Sequence, residues 1–130
     1  MKHSSKILIS IAALAVVVIL AGVFSGRTLA SSSKKIENQI ESVEKSVKSG
    51  NWKEADSALS NAKEIWSSSE KTWTILIDHI EIDNIDTGFE RLSSFLETKS
   101  TPLALGEISS LRQYIRHIPE KEIPSIKNIF

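Results

Sequence analysis

The sequence contains no cysteine. That excludes disulfides, thiol catalysis, zinc–thiolate sites and lipid attachment through a cysteine. A cysteine-free domain is compatible with either side of a membrane. Net charge is missing too, because 16 basic and 16 acidic residues cancel. From Arg27 onward, 14 basic residues stand against 16 acidic ones, a net of −2. Nucleic-acid binders carry clustered positive charge, so no nucleic-acid partner is expected, and no polybasic membrane-surface module. There are only three prolines and five glycines. No nucleophile motif, phosphate loop or dinucleotide fingerprint occurs, and the serines fall at caps and exposed faces. The expectation is therefore no enzyme and no cofactor.

One long apolar run dominates what is present. Ile7 to Phe24 is eighteen residues without a charged side chain. As a helix it spans about 27 Å at roughly 1.5 Å per residue, close to the ~30 Å hydrocarbon core of a bilayer. A cleavable signal peptide has the same basic front, here Lys2 and Lys6, but an apolar core of about 7–15 residues. The length predicts an uncleaved signal anchor over residues 7–26, with residues 1–6 as a cytoplasmic basic tail. The alternative is a secreted product, since Val23–Ser25 and Thr28–Ala30 offer small residues at cleavage spacing. Arg27, Lys34 and Lys35 follow the span, so the positive-inside count is nearly balanced. The short basic front favours export of the carboxyl end, which makes residues 31–130 an extracytoplasmic domain. Ser31–Ser33 reads as a flexible exit from the membrane.

About a hundred residues remain, enough for one domain. Ile36, Ile40, Val43 and Val47 recur in steps of four, three and four, the pattern of a packed helix. Gly50 ends it, and Asn51 with Glu54 forms a capping box for a second helix. That helix carries Trp52, Ala55, Leu59, Ala62 and Trp66 on one face. Gly50–Asn51–Trp52–Lys53–Glu54–Ala55, with Leu59 and Ala62, resembles the second helix of a tetratricopeptide repeat, but no second copy follows about 34 residues later, so the reading is a generic helical hairpin, with a degenerate repeat as the alternative. Ser67–Ser69 breaks the pattern, with Ser67 and Glu70 as the cap of a long third helix. Ile75, Ile82, Phe89 and Leu96 lie seven apart on it, with Ile85 and Leu92 interleaved. Gly88 is a candidate kink. WTILIDHIEI is also rich in β-branched residues, but no second strand exists to pair with it. Thr101–Pro102 starts a fourth stripe, Ala104, Ile108, Leu111, Ile115 and Ile118, which Pro119 should stop. The last apolar residues, Ile123, Ile126, Ile129 and Phe130, suggest a tail lying along the bundle. The predicted fold is all-α: an N-terminal transmembrane helix followed by a small bundle of about four helices.

A family resemblance rests on several short motifs. They are the tryptophan-containing hairpin, Trp73 with Asp78–His79–Ile80–Glu81–Ile82–Asp83, His117–Ile118, and Ser125–Ile126–Lys127–Asn128–Ile129–Phe130. Together they resemble domain-of-unknown-function family 4363, over most of the chain after the anchor. The resemblance implies a small bacterial protein with an N-terminal membrane segment and another membrane protein as partner. It implies no activity.

Two polar groups invite a functional reading. His79, Asp83, Asp86 and Glu90 fall on one helical face at spacings of four, three and four. A histidine with carboxylates could hold a divalent metal or another ligand, whereas a solvated acidic face is the plainer reading. Asp78 falls within the main apolar stripe, which predicts a buried carboxylate paired with Arg112, Arg116 or His117. Trp52, Trp66 and Trp73 could stack a sugar, but tryptophans at helical spacing are more often core. The expected function is a non-catalytic binding or assembly module at a membrane, and the alternative is a ligand- or metal-binding sensor using His79, Asp83 and Asp86.

Overall fold

A computed structural model describes residues 2–122, with side chains described through Pro119. Four helices make up nearly all of it: α1 (Lys2–Lys48), α2 (Trp52–Leu76), α3 (His79–Glu97) and α4 (Thr101–Glu122). Among the described residues there is no strand, so WTILIDHIEI is helical apart from a two-residue break. α1 packs against α2 and α4, and α3 packs against the same two. Loops of two or three residues make sequential helices antiparallel neighbours in an up-and-down bundle.

The predicted stripes form the core. Ile36, Ile40, Val43 and Val47 of α1 are buried, as are Ala55, Leu59, Ala62 and Trp66 of α2. Ile82, Ile85, Phe89, Leu92 and Leu96 of α3 meet Ala104, Ile108, Leu111, Ile115 and Ile118 of α4. Gly88 lies in unbroken helix. A Cβ there would stand 2.6 Å from the Leu111 side chain, so glycine permits close α3–α4 approach.

The helix ends follow local chemistry. Gly50 adopts φ +73° after α1. Its N–H donates to Val47 at 3.1 Å and that of Asn51 to Ser46 at 2.9 Å, which satisfies the last carbonyls. The Asn51 side chain then accepts from the Glu54 N–H at 3.2 Å. Lys99 ends α3 in the same way with φ 52°, a left-handed conformation that costs a lysine about 1 kcal/mol relative to glycine.

Four expectations are corrected. Ser31–Ser33 is not a flexible exit, because α1 runs unbroken through it. The buried positions of α1 extend back past Ile36 to Ser33, Leu29 and Gly26. Ser67–Ser69 does not end α2 either. The Ser68 and Ser69 hydroxyls donate to the Ile65 carbonyl at 2.9 and 2.8 Å, so the serines bond within the helix and do not cap a new one. The break falls at Ile77–Asp78, and the predicted long helix divides there. Pro119, finally, sits inside α4 and does not stop it.

That proline has a compensation. A residue at 119 with an N–H would donate to the carbonyl of Ile115, four residues back. The Ser33 hydroxyl donates to that carbonyl instead, at 2.7 Å, from α1. The predicted placement of Ile123, Ile126, Ile129 and Phe130 along the bundle lies outside the described residues.

The front of α1 is of another kind. Most of the large apolar side chains from Ile7 to Phe24 are exposed. An eighteen-residue window of this helix has a mean hydropathy of 3.1 and no burial, so it is long and apolar enough to cross a membrane.

Candidate functional site

The break between α2 and α3 decides the fate of Asp78. Ile77 is extended, at φ −126° and ψ 151°, and its N–H donates to the Trp73 carbonyl. Asp78 follows as the N-cap of α3, and its carboxylate accepts the Ile80 N–H at 3.0 Å. Asp78 is exposed, so the expected buried carboxylate is corrected. The helical phase that placed it inward does not survive the break, and Ile75, in phase with Ile82 on the predicted helix, is 83% exposed. Asp78→Ala should therefore cost about 1 kcal/mol, the loss of a cap, and not the roughly 3–5 kcal/mol of a broken buried pair. A chemical denaturation midpoint compared with wild type distinguishes the two.

The proposed partners of Asp78 are engaged elsewhere. Arg112 pairs with Glu44, and Arg116 pairs with Glu37 at 2.8 Å, both across the α1–α4 seam. With Lys34, Asn38 and Glu41 they line a shallow polar groove of about 390 Å³. The hydrogen bonds of Lys48 and Arg112 hold the Glu44 carboxyl below its ordinary value of 4.5. Glu44 thus contributes stability above that value, and loses it as pH falls through the depressed pKa. His117 is exposed and lines a separate hollow of about 330 Å³ with Glu81, Gln113 and Tyr114.

The acidic face of α3 is dispersed in its contacts. His79 and Asp83 are exposed. Glu90 pairs with Lys63 of α2 at 3.3 Å. Asp86 turns to the core edge, where it accepts the Trp66 indole N–H at 2.7 Å. Among the described residues no three His, Asp or Glu side chains gather closely enough to hold a metal. Asp86 has a further neighbour, Glu70 of α2. Burial, then the charge of Asp86 and a hydrogen bond with it, raises the Glu70 carboxyl above 4.5. Sequence reasoning missed this pair because it placed the two residues on one long helix.

The sign of the Glu70 effect follows from proton binding. Between its ordinary value and the raised one, the folded chain holds a proton that the unfolded chain has lost. Stability contributed by this group is present below that window and declines as pH rises through it. Glu70→Gln should remove the decline and gain about 0.5 kcal/mol near neutral pH, the size of a partly screened contact. Urea melts from about pH 4 to 7 test this, and a parallel loss in the variant counts against it.

The tryptophans belong to the core. Trp73 and Trp66 are buried edge to face, with centroids 5.2 Å apart and planes at 81°. The Trp73 indole donates to the Ser32 hydroxyl at 2.8 Å, which ties α2 to α1 near the end of the apolar segment.

Beside that tie lies a cleft of about 630 Å³ between α1 and α2. Phe24, Arg27, Ser31 and Lys35 line one wall, and Ile65 and Thr72 stand on the other. Sequence reasoning counted Arg27 and Lys35 only as charges flanking the span. Their spacing of eight residues puts them on one helical face, but the opposite wall comes from residues 65–72, which local pattern cannot place there.

The family model described as "Domain of unknown function (DUF4363)" matches residues 23–129. No curated protein and no solved structure matches the chain.

Proposed function

The chain belongs to the DUF4363 family, and from that premise we propose a non-catalytic, single-pass membrane-anchored module that presents its helical bundle to another membrane protein. The reading has residues 7–26 in the bilayer and the bundle on the extracytoplasmic side. The observation that carries it is the continuity of α1, in which one helix of 47 residues is both apolar segment and first bundle helix. At 1.5 Å per residue this is a strut of about 70 Å. A domain joined through unbroken helix keeps a set height and orientation over the membrane, as an assembly module requires and a flexible tether does not provide. The non-catalytic part of the reading is supported by Asp78, Asp86, Arg112 and Arg116, which are engaged in a helix cap, a core-edge bond and two ion pairs.

Two measurements test it. Intact mass after alkaline carbonate extraction should give a membrane-retained chain with its amino terminus in place, and a mature start at Gly26 or Ser31 overturns the anchor. Photo-crosslinking in membranes from exposed Asn38 should give a discrete protein adduct, and no adduct overturns the assembly role. The sensing alternative on His79, Asp83 and Asp86 predicts a strong rise in melting temperature with manganese or zinc that His79→Ala abolishes.

A further inference from the structure

The base of the bundle has features that neither its packing nor its ion pairs use. Among the described residues Arg27 and Lys35 enter no ion pair, although Glu37, Glu44, Glu90 and Glu107 each hold a cation elsewhere. Both line the α1–α2 cleft. Eight residues separate them by about 12 Å along the helix, and both side chains line the one cleft. Ser31 lies midway between them, and Thr72 lines the facing wall. The hydroxyls of Ser31 and Thr72 have no hydrogen bond among the described residues, unlike those of Ser32, Ser68 and Ser69. The cleft therefore offers two cations and two free hydroxyls, and no acidic side chain lines it. Phe24 and Ile65 add an apolar rim.

Its height is set by contacts. Arg27 stands three residues, about 4.5 Å, beyond Phe24, within the ~5–7 Å of a headgroup layer. The Trp73–Ser32 bond places the end of α2 at the same base. One turn onward, the α2–α3 corner exposes Ile75 and Ile80, at 83% and 69%. Exposed isoleucines suit a surface that meets lipid and not water.

We infer that this cleft binds the phosphate of an anionic phospholipid headgroup, held between Arg27 and Lys35 with the Ser31 and Thr72 hydroxyls as further donors. The lipid's glycerol and upper acyl chain lie toward Phe24, and the Ile75–Ile80 corner rests in the same interface. Charge-assisted bonds from paired cations make a phosphate the fitting ligand. The inference rests on the membrane-anchored reading above.

The test uses the full-length protein in non-ionic detergent, titrated by native mass spectrometry. The probes are phosphatidylglycerol, phosphatidylcholine of matched chains, and inorganic phosphate. Wild type should retain phosphatidylglycerol over phosphatidylcholine. Arg27→Gln with Lys35→Gln should weaken that binding about tenfold or more, the factor that 1.4 kcal/mol represents. Lys45→Gln with Lys53→Gln removes the same charge near the far end of the bundle and should change nothing. Ser31→Trp keeps both charges but fills the cleft, and should also lose the lipid. Equal retention of the two lipids, or equal losses in the base and far-end variants, overturns the site. Inorganic phosphate that displaces the lipid at similar concentration overturns the lipid as its source. A chain released from membranes by carbonate overturns this inference and the anchored reading together. A retained chain without headgroup selectivity overturns this inference alone.

Discussion

Trp73→Ala should destabilise the bundle by about 3–5 kcal/mol, the cost of removing a large aromatic from a closed core. Trp73 is fully buried at the end of α2 and does three things there. It fills the space between α1 and α2, it packs edge to face on Trp66, and it donates its indole N–H to Ser32. The ring of Trp66 lies in turn 6.4 Å from Phe89 of α3, so the vacancy would be felt across three helices. Trp73→Phe keeps most of the apolar volume and loses the hydrogen bond, and should cost about 1–2 kcal/mol. The Ser32 hydroxyl keeps its own bonds to the carbonyls of Thr28 and Leu29, so it is not stranded. Denaturant melts followed by far-ultraviolet circular dichroism read both. A loss below about 1 kcal/mol for the alanine variant would mean that this end of the bundle does not close around the indole.

Ser33→Ala should cost about 1–3 kcal/mol, much more than a serine-to-alanine change on a helix surface. The reason is Pro119. Proline lacks the N–H that would satisfy the Ile115 carbonyl, and the buried Ser33 hydroxyl takes that place at 2.7 Å. Removing the hydroxyl leaves a carbonyl in the core without a donor. Pro119→Ala restores a helical N–H, so the loss from Ser33→Ala should shrink when both changes are combined. The coupling between the two positions, 86 residues apart in sequence, should be at least about 0.5 kcal/mol by double-mutant cycle. Additive losses would show that the Ser33 hydroxyl does not replace the missing donor. The outcome bears on function as well, because the Ser33–Ile115 bond and the Trp73–Ser32 bond together hold the base of the bundle at one height on α1.

Much of this molecule was legible in the chain. The eighteen-residue apolar run and the stripes of Ile36–Val47, Trp52–Trp66, Ile75–Leu96 and Ala104–Ile118 mark apolar faces, because a helix places every third or fourth residue together, although Ile75 is exposed and Trp52 only half-buried. Gly50 and Asn51 mark a helix boundary by backbone chemistry that operates within five residues. The family was legible in short motifs, and the match over residues 23–129 bears it out.

Tertiary structure decided wherever two local signals were equally good. Ser67–Ser69 could cap a helix or bond back within one, and packing of Trp66 and Trp73 on a single α2 selects the second. Asp78 could lie in an apolar stripe or cap a new helix, and the break at Ile77 moves it out to solvent. Pro119 could stop α4, but a hydroxyl from α1 supplies the bond that the proline lacks. The base cleft belongs to the same class, since Arg27 and Lys35 acquire a facing wall only when α2 folds back along α1. For Pro119 and the base cleft the partner lies tens of residues away. Periodicity reports which face of a helix is apolar, and only the packed bundle decides what that face meets.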